Sequence, residues 1–110
     1  MKHIIFDLKG CSADLLDQRE YVRMSVYQAV KIANAELIHL AAHKFDPQGV
    51  TCMAMLAESH MTMHTWPEKS MAKCDIFTCG ETCLPELAIQ YLGEMFKAEE
   101  VIFDTYDRDV

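Results

Sequence analysis

Two histidines, a serine, a tryptophan and two glutamates fall within residues 57–68, in the middle of the chain. On an extended backbone, successive side chains alternate between two faces. Met61 and Met63 then point to one face. The other face carries His60, Thr62, His64 and Trp66. A strand with one apolar face and one face dense in proton-transferring groups is the pattern expected of a functional site on a sheet.

The run Glu58-Ser59-His60, followed by residues 64–68 (His-Thr-Trp-Pro-Glu), resembles the self-processing segment of the bacterial and archaeal S-adenosylmethionine decarboxylases. Further matches follow in order along nearly the whole chain: His3, Cys11, and residues 43–45, 47–50 and 75–80. The resemblance implies a pyruvoyl-dependent proenzyme that cuts itself between Glu58 and Ser59. The protein is then a single decarboxylase domain, 1–110, cleaved into 1–58 and 59–110.

Cleavage of this kind begins when the Ser59 hydroxyl attacks the carbonyl carbon of Glu58 and moves the acyl group from nitrogen to oxygen. Loss of the Ser59 α-proton expels the carboxylate, and hydrolysis leaves a pyruvoyl group on the new N-terminus. That ketone forms a Schiff base with a substrate amine and accepts electrons as carbon dioxide leaves, the role of pyridoxal phosphate elsewhere. The alternative to self-cleavage is that Glu58 and Ser59 are a polar pair that only ends a strand.

The resemblance also implies roles for residues around Ser59. His64 matches the residue that transfers a proton during processing, which suits a neutral imidazole. Thr51 and His60 are expected to support processing, although His60 could simply fix the turn. Cys79 matches the catalytic proton donor; the alternative is an inert buried thiol. For His64, the alternative to proton transfer is a purely structural role.

Two further residues match substrate-binding positions of the family. Phe45 resembles the aromatic residue that stacks on adenine, and such stacking also suits a sulfonium cation nearby. Glu68 matches the carboxylate that accepts hydrogen bonds from ribose hydroxyls. The alternatives are that Phe45 is an aromatic residue of the core and that Glu68 is a solvated glutamate in a turn.

Four positions depart from the family pattern: Cys52, Met71, Lys73 and Cys74. On an extended strand Lys73 shares a face with Asp75, and it would repel a sulfonium unless Asp75 or a substrate carboxylate pairs with it. The resemblance implies that the substrate is S-adenosylmethionine, on the route to spermidine, but these departures mean that the motif specifies the pyruvoyl chemistry better than it specifies the substrate. The alternative is ornithine or arginine. A non-catalytic regulatory paralogue is a third possibility, disfavoured because Ser59, His64 and Cys79 are intact.

A metal site is not expected, although several potential ligands could converge: His60, His64, Cys74, Cys79 and Cys83. No zinc-type cysteine pattern occurs. His60 and His64 are spaced to meet on a helix, whereas this segment is predicted to be a strand.

The formal net charge of −7 and the absence of a basic run argue against nucleic-acid binding. The five cysteines are an odd number, and no export signal precedes them, which favours reduced thiols and a cytoplasmic location. No apolar run has the length of a membrane span.

Six segments are predicted strands: 3–8, 36–45, 50–57, 59–66, 71–79 and 101–106. Helical periodicity predicts one long helix from an N-cap at Ser12 to about Asn34, and a second helix capped by Thr82. This pattern indicates an α+β two-layer sandwich, with two helices on one face of a mainly antiparallel sheet. The strands are apolar on both sides, so a second subunit is expected to cover the other face in a homodimer.

Overall fold

A computed structural model describes residues 1–57, 59–79 and 81–109, and Glu58, Gly80 and Val110 lie outside the described residues. The strands are β1 (Lys2–Lys9), β2 (Leu37–Lys44), β3 (Val50–Leu56), β4 (His60–Trp66), β5 (Met71–Thr78) and β6 (Glu100–Asp107). The helices are α1 (Ala13–Leu16), α2 (Arg19–Ile32) and α3 (Pro85–Met95), and a 3-10 turn at Pro67–Lys69 follows β4. The predicted strands are therefore placed within one or two residues of their ends.

The strands form one antiparallel sheet in the order β2-β3-β4-β5-β1-β6. One face is packed against the helices because alternate strand residues are apolar and buried, as in Ile4, Phe6 and Leu8 of β1. On the helix side, the buried partners include Val22, Val26, Val30, Ile89, Leu92 and Phe96. The predicted α+β sandwich, with its helices on one face of an antiparallel sheet, is confirmed.

The other face of the sheet, called here the open face, carries large apolar side chains that are exposed in the single protomer. These are Ile5, Phe45, Met53, Met55, Trp66, Ile102 and Tyr106. An exposed apolar area of this extent is typical of an interaction surface. In the described part of the chain, no helix has the length and apolar composition to cross a membrane.

The long helix predicted from Ser12 to Asn34 is wrong, because it divides at Asp17 and Gln18 into α1 and α2. Ser12 does cap α1, and its Oγ accepts from the backbone N–H of Leu15 at 3.4 Å. Asp17 instead accepts the backbone N–H of Gly49 at 2.8 Å and lies 3.1 Å from Lys44 Nζ. These two contacts hold the pKa of Asp17 below its usual value, with the Gly49 hydrogen bond the larger cause. A tertiary contact with a distant turn therefore ends α1.

The predicted cap at Thr82 is also wrong, because α3 begins at Pro85. Proline suits the first turn of a helix, where its missing N–H has no helical partner. The Thr82 carbonyl accepts from Asn34 Nδ2 at 3.1 Å, and the Leu84 N–H donates to the Ala33 carbonyl at 2.8 Å. Asn34 has a left-handed backbone (φ 60°) at the end of α2, so it both ends that helix and holds the segment before α3.

Candidate active site

The described candidate residues lie in two groups at opposite ends of β3 and β4. The serine end contains Ser59 and Cys79, next to Cys83. The histidine end contains Phe45, Thr51, His64 and Glu68. Glu58, the predicted residue on the other side of the cleavage point, lies outside the described residues.

The backbone of Ser59 is held by a tight connection between β3 and β4. The Leu56 N–H donates to the Ser59 carbonyl at 2.9 Å, and the Ser59 N–H donates to the Leu56 carbonyl at 3.4 Å. The Ala57 N–H donates to the Glu36 carbonyl at 3.0 Å, which ties this connection to the start of β2. Two backbone hydrogen bonds therefore hold Ser59 beside the end of β3.

Ser59 and Cys79 line one cavity of about 270 Å³, between the end of α2 and the segment before α3. Cys79 follows β5 directly, and Cys83 lines the same cavity. A hydroxyl that can become an electrophile and a thiol that can deliver a proton thus border one space. This is the arrangement expected of a reacting centre with its own acid.

Burial separates the remaining thiols from this cavity. Cys11, Cys52 and Cys74 are buried in the core, and none of the five cysteines, all within the described residues, forms a disulfide. Desolvation raises the pKa of Cys11 and of Cys52 to about 11 and raises that of Cys74 well above its usual value. Cys52 and Cys74, two of the departures from the family pattern, therefore pack on the helix side and not at the cavity.

At the histidine end, Thr51 Oγ1 lies 3.0 Å from His64 Nδ1 across the β3–β4 pair. Both side chains belong to the open face of the sheet. A hydroxyl hydrogen-bonded to an imidazole can transfer a proton between a reacting group and the ring. Thr51, which the sequence alone marks only by its resemblance, is thus brought directly onto His64.

Phe45, Thr51, His64, Trp66 and Glu68 line a second cavity, of about 350 Å³. The turn beside it is closed by the Phe45 N–H, which donates to the Gly49 carbonyl at 2.8 Å. Gly49 is needed there because its φ is +104°, and a Cβ would lie 3.2 Å from the Thr65 carbonyl. An aromatic ring and a carboxylate thus border one cavity, as the prediction for a nucleoside-binding site requires.

The Ser59–Cys79 group and the His64 group do not meet within one protomer. His64 is five residues beyond Ser59 on β4, so extended geometry separates them by about 16 Å. A group at that distance cannot take a proton from Ser59. A site that used both groups would need to draw them from different protomers.

Asp75, to which the sequence analysis assigned no catalytic role, is the centre of a polar group on the open face, called here the Asp75 cluster (His3, His60, Thr62 and Asp75). Its Oδ2 lies 2.7 Å from His3 Nε2 and 2.9 Å from His60 Nε2, while Oδ1 accepts from the Thr62 hydroxyl. Partial burial by itself raises the pKa of Asp75, but the three hydrogen bonds outweigh it, so this pKa lies below its usual value.

The ligand atoms of His3, His60 and Asp75 lie within 4.8 Å of one another, which makes them a candidate cation site. The set differs from the one that the sequence analysis considered, since it combines His60 with His3 and not with cysteines. Its polar atoms already satisfy one another, because each imidazole bonds to the carboxylate. A cation would have to replace both of those hydrogen bonds.

Lys73 pairs with Asp7 and not with Asp75, the partner considered from the sequence. Its Nζ lies 2.8 Å from Asp7 Oδ2, across the β5–β1 pair. The lysine charge is thus offset without using Asp75 or a substrate carboxylate. Met71 lies beside it in a shallow cavity with Trp66 and Lys69.

Sequence comparison connects this arrangement with known proteins. A model of the family described as S-adenosylmethionine decarboxylase matches residues 2–109. An S-adenosylmethionine decarboxylase proenzyme of Prochlorococcus marinus (strain MIT 9211) is 44% identical over 108 residues, covering 98% of this chain and 88% of the relative. A proenzyme of the same name from Methanococcus vannielii is 47% identical over 100 residues, covering 91% of this chain and 82% of the relative.

Structural comparison agrees. The crystal structure of the adenosylmethionine decarboxylase from Aquifex aeolicus VF5 superposes with a TM-score of 0.90 and 32% identity, covering 99% of this chain and 90% of that one. The Trypanosoma brucei AdoMetDC monomer shares the fold alone, with a TM-score of 0.68 at 15% identity, over 93% of this chain and 44% of that one.

Proposed function

Because this protein belongs to the S-adenosylmethionine decarboxylase family, we propose that Ser59 is the residue from which its pyruvoyl cofactor forms. The enzyme is a carboxy-lyase that decarboxylates S-adenosylmethionine, a step in spermidine biosynthesis. A pyruvoyl group supplies a ketone that binds the substrate amine and accepts the electron pair released with carbon dioxide. The observation that carries the assignment is that Ser59, hydrogen-bonded through its backbone to Leu56, shares a cavity with the Cys79 thiol.

Ser59 has the chemistry that the cofactor requires. Its hydroxyl can attack the carbonyl carbon of Glu58, forming a C–O bond as the C–N bond breaks. Removal of its α-proton then breaks the bond between Cβ and Oγ and releases the Glu58 carboxylate. Addition of one water and loss of one ammonia complete the conversion. The backbone bonds between Ser59 and Leu56 hold the attacking residue in place.

The α-proton has to be removed by a base, and we assign this role to His64, supported by Thr51. Their hydrogen bond orients the imidazole and connects it to a second proton carrier. Since His64 is about 16 Å from Ser59 in its own protomer, the base acts on Ser59 of another protomer.

The partner that satisfies this requirement is a second copy of the protein, packed through the open face. That face exposes Met53 and Met55 of β3 and Trp66 of β4. A two-fold axis that lies in this interface, perpendicular to the strands, pairs unlike ends, so that residue i of one copy lies against residue j of the other. The serine end of each protomer then faces the histidine end of its partner, and each dimer holds two composite sites.

The remaining residues divide the work at such a site. Cys79 delivers a proton to the substrate α-carbon after carbon dioxide has left. Phe45 stacks on the adenine and Glu68 accepts hydrogen bonds from the ribose hydroxyls, and both come from the protomer that supplies His64. Nothing in this division requires Lys73, whose charge is offset by Asp7.

Intact-mass spectrometry of the purified protein tests the proposal. We expect two fragments, 1–58 and 59–110, whose summed mass equals that of the whole protein plus one water minus one ammonia. The fragment that begins at residue 59 should resist Edman degradation. Ser59→Ala should stay whole and inactive, while Thr105→Ala on the exposed edge strand β6 should process normally. An uncut wild-type protein that still releases carbon dioxide from S-adenosylmethionine would contradict the proposal.

A further inference from the structure

The Asp75 cluster brings side chains of three neighbouring strands together on the open face. His60 of β4 and His3 of β1 lie on either side of Phe77 of β5, with ring centroids 5.8 Å and 5.0 Å from the Phe77 ring. The Asp75 carboxylate, two residues earlier on β5, accepts from both imidazoles through the same oxygen. One carboxylate thus holds two histidine rings in fixed orientations.

Arg108 determines where the proton of His3 lies. Its Nη1 is 3.3 Å from His3 Nδ1, and its guanidinium carbon is 5.1 Å from the centroid of the Phe77 ring. A guanidinium can only donate, so His3 Nδ1 accepts and His3 Nε2 carries the hydrogen that bonds to Asp75. An ionised carboxylate can only accept, so His60 also donates through Nε2. Asp75, whose pKa lies below its usual value despite partial burial, is thus an anion that receives three donors, from His3, His60 and Thr62.

His60 differs from His3 in that its backbone nitrogen is bonded directly to residue 59. Once the backbone is cut, residue 59 becomes a terminus and loses its covalent connection on one side. The end residues of a strand are the first to fray. What then fixes this terminus is the hydrogen bond from the Leu56 N–H to the residue 59 carbonyl, the pairing of His60 with Met55 and Phe77, and the His60 side chain, which is held by Asp75.

We propose that Asp75 is a positioning residue that holds the His60 ring and thereby fixes the cofactor-bearing terminus against Cys79. The proposal rests on the proposed function, since it needs residue 59 to become a terminus. Asp75 touches neither Ser59 nor the cavity that Ser59 shares with Cys79. Its effect passes through His60, and displacement of a reacting group by about 1 Å can cost on the order of 100-fold in rate.

The protein offers a matched pair of variants for the test. His60→Leu and His3→Leu each remove one donor to the same oxygen of Asp75, but only His60 carries residue 59. We expect His60→Leu to lower kcat by about 10- to 100-fold, measured per pyruvoyl group, with KM changed little because binding of the adenosine is assigned to Phe45 and Glu68 of the other protomer. His3→Leu should lower kcat much less, although both variants should lose similar thermal stability.

Asp75→Asn should reproduce the kcat loss of His60→Leu, and the double variant should be no worse than either single one, as expected for residues that act together. Loss of processing confined to His60→Leu and Asp75→Asn would instead place both residues in self-processing, before residue 59 is a terminus, and would overturn the proposal. Asp14→Asn, on the helix side of the molecule, is the control for an aspartate-to-asparagine change. If Asp75→Asn fails to fold, the comparison of His60→Leu with His3→Leu still tests the proposal.

Several results would overturn the proposal. Equal kcat losses in His60→Leu and His3→Leu would show that Asp75 only stabilises the fold. A stoichiometric divalent metal, removed by chelator together with activity and absent from Asp75→Asn, would show that the cluster is a metal site. A wild-type protein that stays uncut overturns the proposed function as well, whereas processed wild-type protein with unaffected variants overturns this proposal alone.

Discussion

Ser59 and His64 lie on one extended segment, five residues apart, so about 16 Å separates the predicted nucleophile from the predicted base in each protomer. The polar face shared by His60, Thr62 and His64 is real, but it runs from one end of the sheet to the other. A site that uses both Ser59 and His64 therefore draws them from different protomers.

Co-expression of two inactive variants tests this arrangement. Ser59→Ala and His64→Ala should each be inactive alone, but a mixed dimer pairs the intact Ser59 of one protomer with the intact His64 of the other. With random pairing, about a quarter of all sites should be complete. Fragment formation confined to the His64→Ala protomer, with recovery of activity, is the expected result. No recovery in mixed dimers isolated by two affinity tags would show that each site is built within one protomer.

Cys79→Ala should separate processing from turnover. We expect pyruvoyl formation to persist, since the thiol is assigned to decarboxylation, while kcat falls by about 100-fold or more, in the range for loss of a general acid. Protonation of the pyruvoyl carbon instead of the substrate α-carbon should also convert residue 59 to alanine. Mass spectrometry can detect this change during turnover. Cys83→Ala, at the other thiol of the same cavity, is the matched control. Wild-type turnover with an unaltered cofactor in Cys79→Ala would assign the proton to another group.

Phe45→Ala should weaken the binding of an adenosyl ligand by about 1–3 kcal/mol, the usual contribution of a stacked base. Calorimetric titration of S-adenosylmethionine analogues into processed protein measures this directly. Phe103, an exposed aromatic residue of β6, supplies the control variant Phe103→Ala. Absence of adenosyl binding together with ornithine turnover that is equal in wild type and Phe45→Ala would favour a basic amino acid as substrate.

Alkylation of the native protein should distinguish two classes of thiol. Cys79 and Cys83 are partly exposed, whereas Cys11, Cys52 and Cys74 are buried with raised pKa values. Because only the thiolate reacts, iodoacetamide near neutral pH should label the first two, and the other three only after denaturation. Peptide mapping identifies the sites. Labelling of Cys74 as fast as Cys83 would mean that the core opens readily.

The same buried thiols should make the fold sensitive to alkaline pH. The pKa of Cys11 and of Cys52 is raised to about 11, while unfolded thiols ionise near a pH of about 8.5. Their contribution to the free energy of unfolding is therefore complete below that lower value and is lost as the pH rises towards about 11. Urea unfolding at two pH values measures the loss, which should be smaller in Cys52→Ala. An identical dependence in that variant would exclude Cys52 as a cause.

The sheet was predictable from the sequence because the strands have unambiguous local patterns. Ile4, Phe6 and Leu8 alternate with other residues, and turn residues such as Pro47 and Gly49 separate β2 from β3. The break between α1 and α2 was not predictable, because apolar residues keep helical spacing across it. What ends α1 is Asp17, whose partner Gly49 lies 32 positions away.

For the candidate site, the sequence predicts which residues take part, which stays a prediction, but it does not predict how the fold arranges them. The resemblance named Ser59, His64 and Cys79, and those roles stay predictions until the variants are measured. The Asp75 cluster depends on the register between β1, β4 and β5, which sets His3 and His60 on either side of Phe77. A single sequence does not specify which residues face one another across strands that are distant in the chain.

The strand order has a consequence for the cleaved protein. Residues 1–58 supply β2, β3 and β1, and residues 59–110 supply β4, β5 and β6, so the two pieces alternate across the sheet as β2-β3, then β4-β5, then β1, then β6. Three strand–strand contacts join them: β3 with β4, β5 with β1, and β1 with β6. Once the backbone is cut, global unfolding of one protomer also separates its two pieces from each other. The melting temperature should therefore rise with protein concentration, even for a protomer that is not part of a dimer. Refolding from the separated pieces becomes a second-order reaction, whereas uncut Ser59→Ala still begins as one molecule.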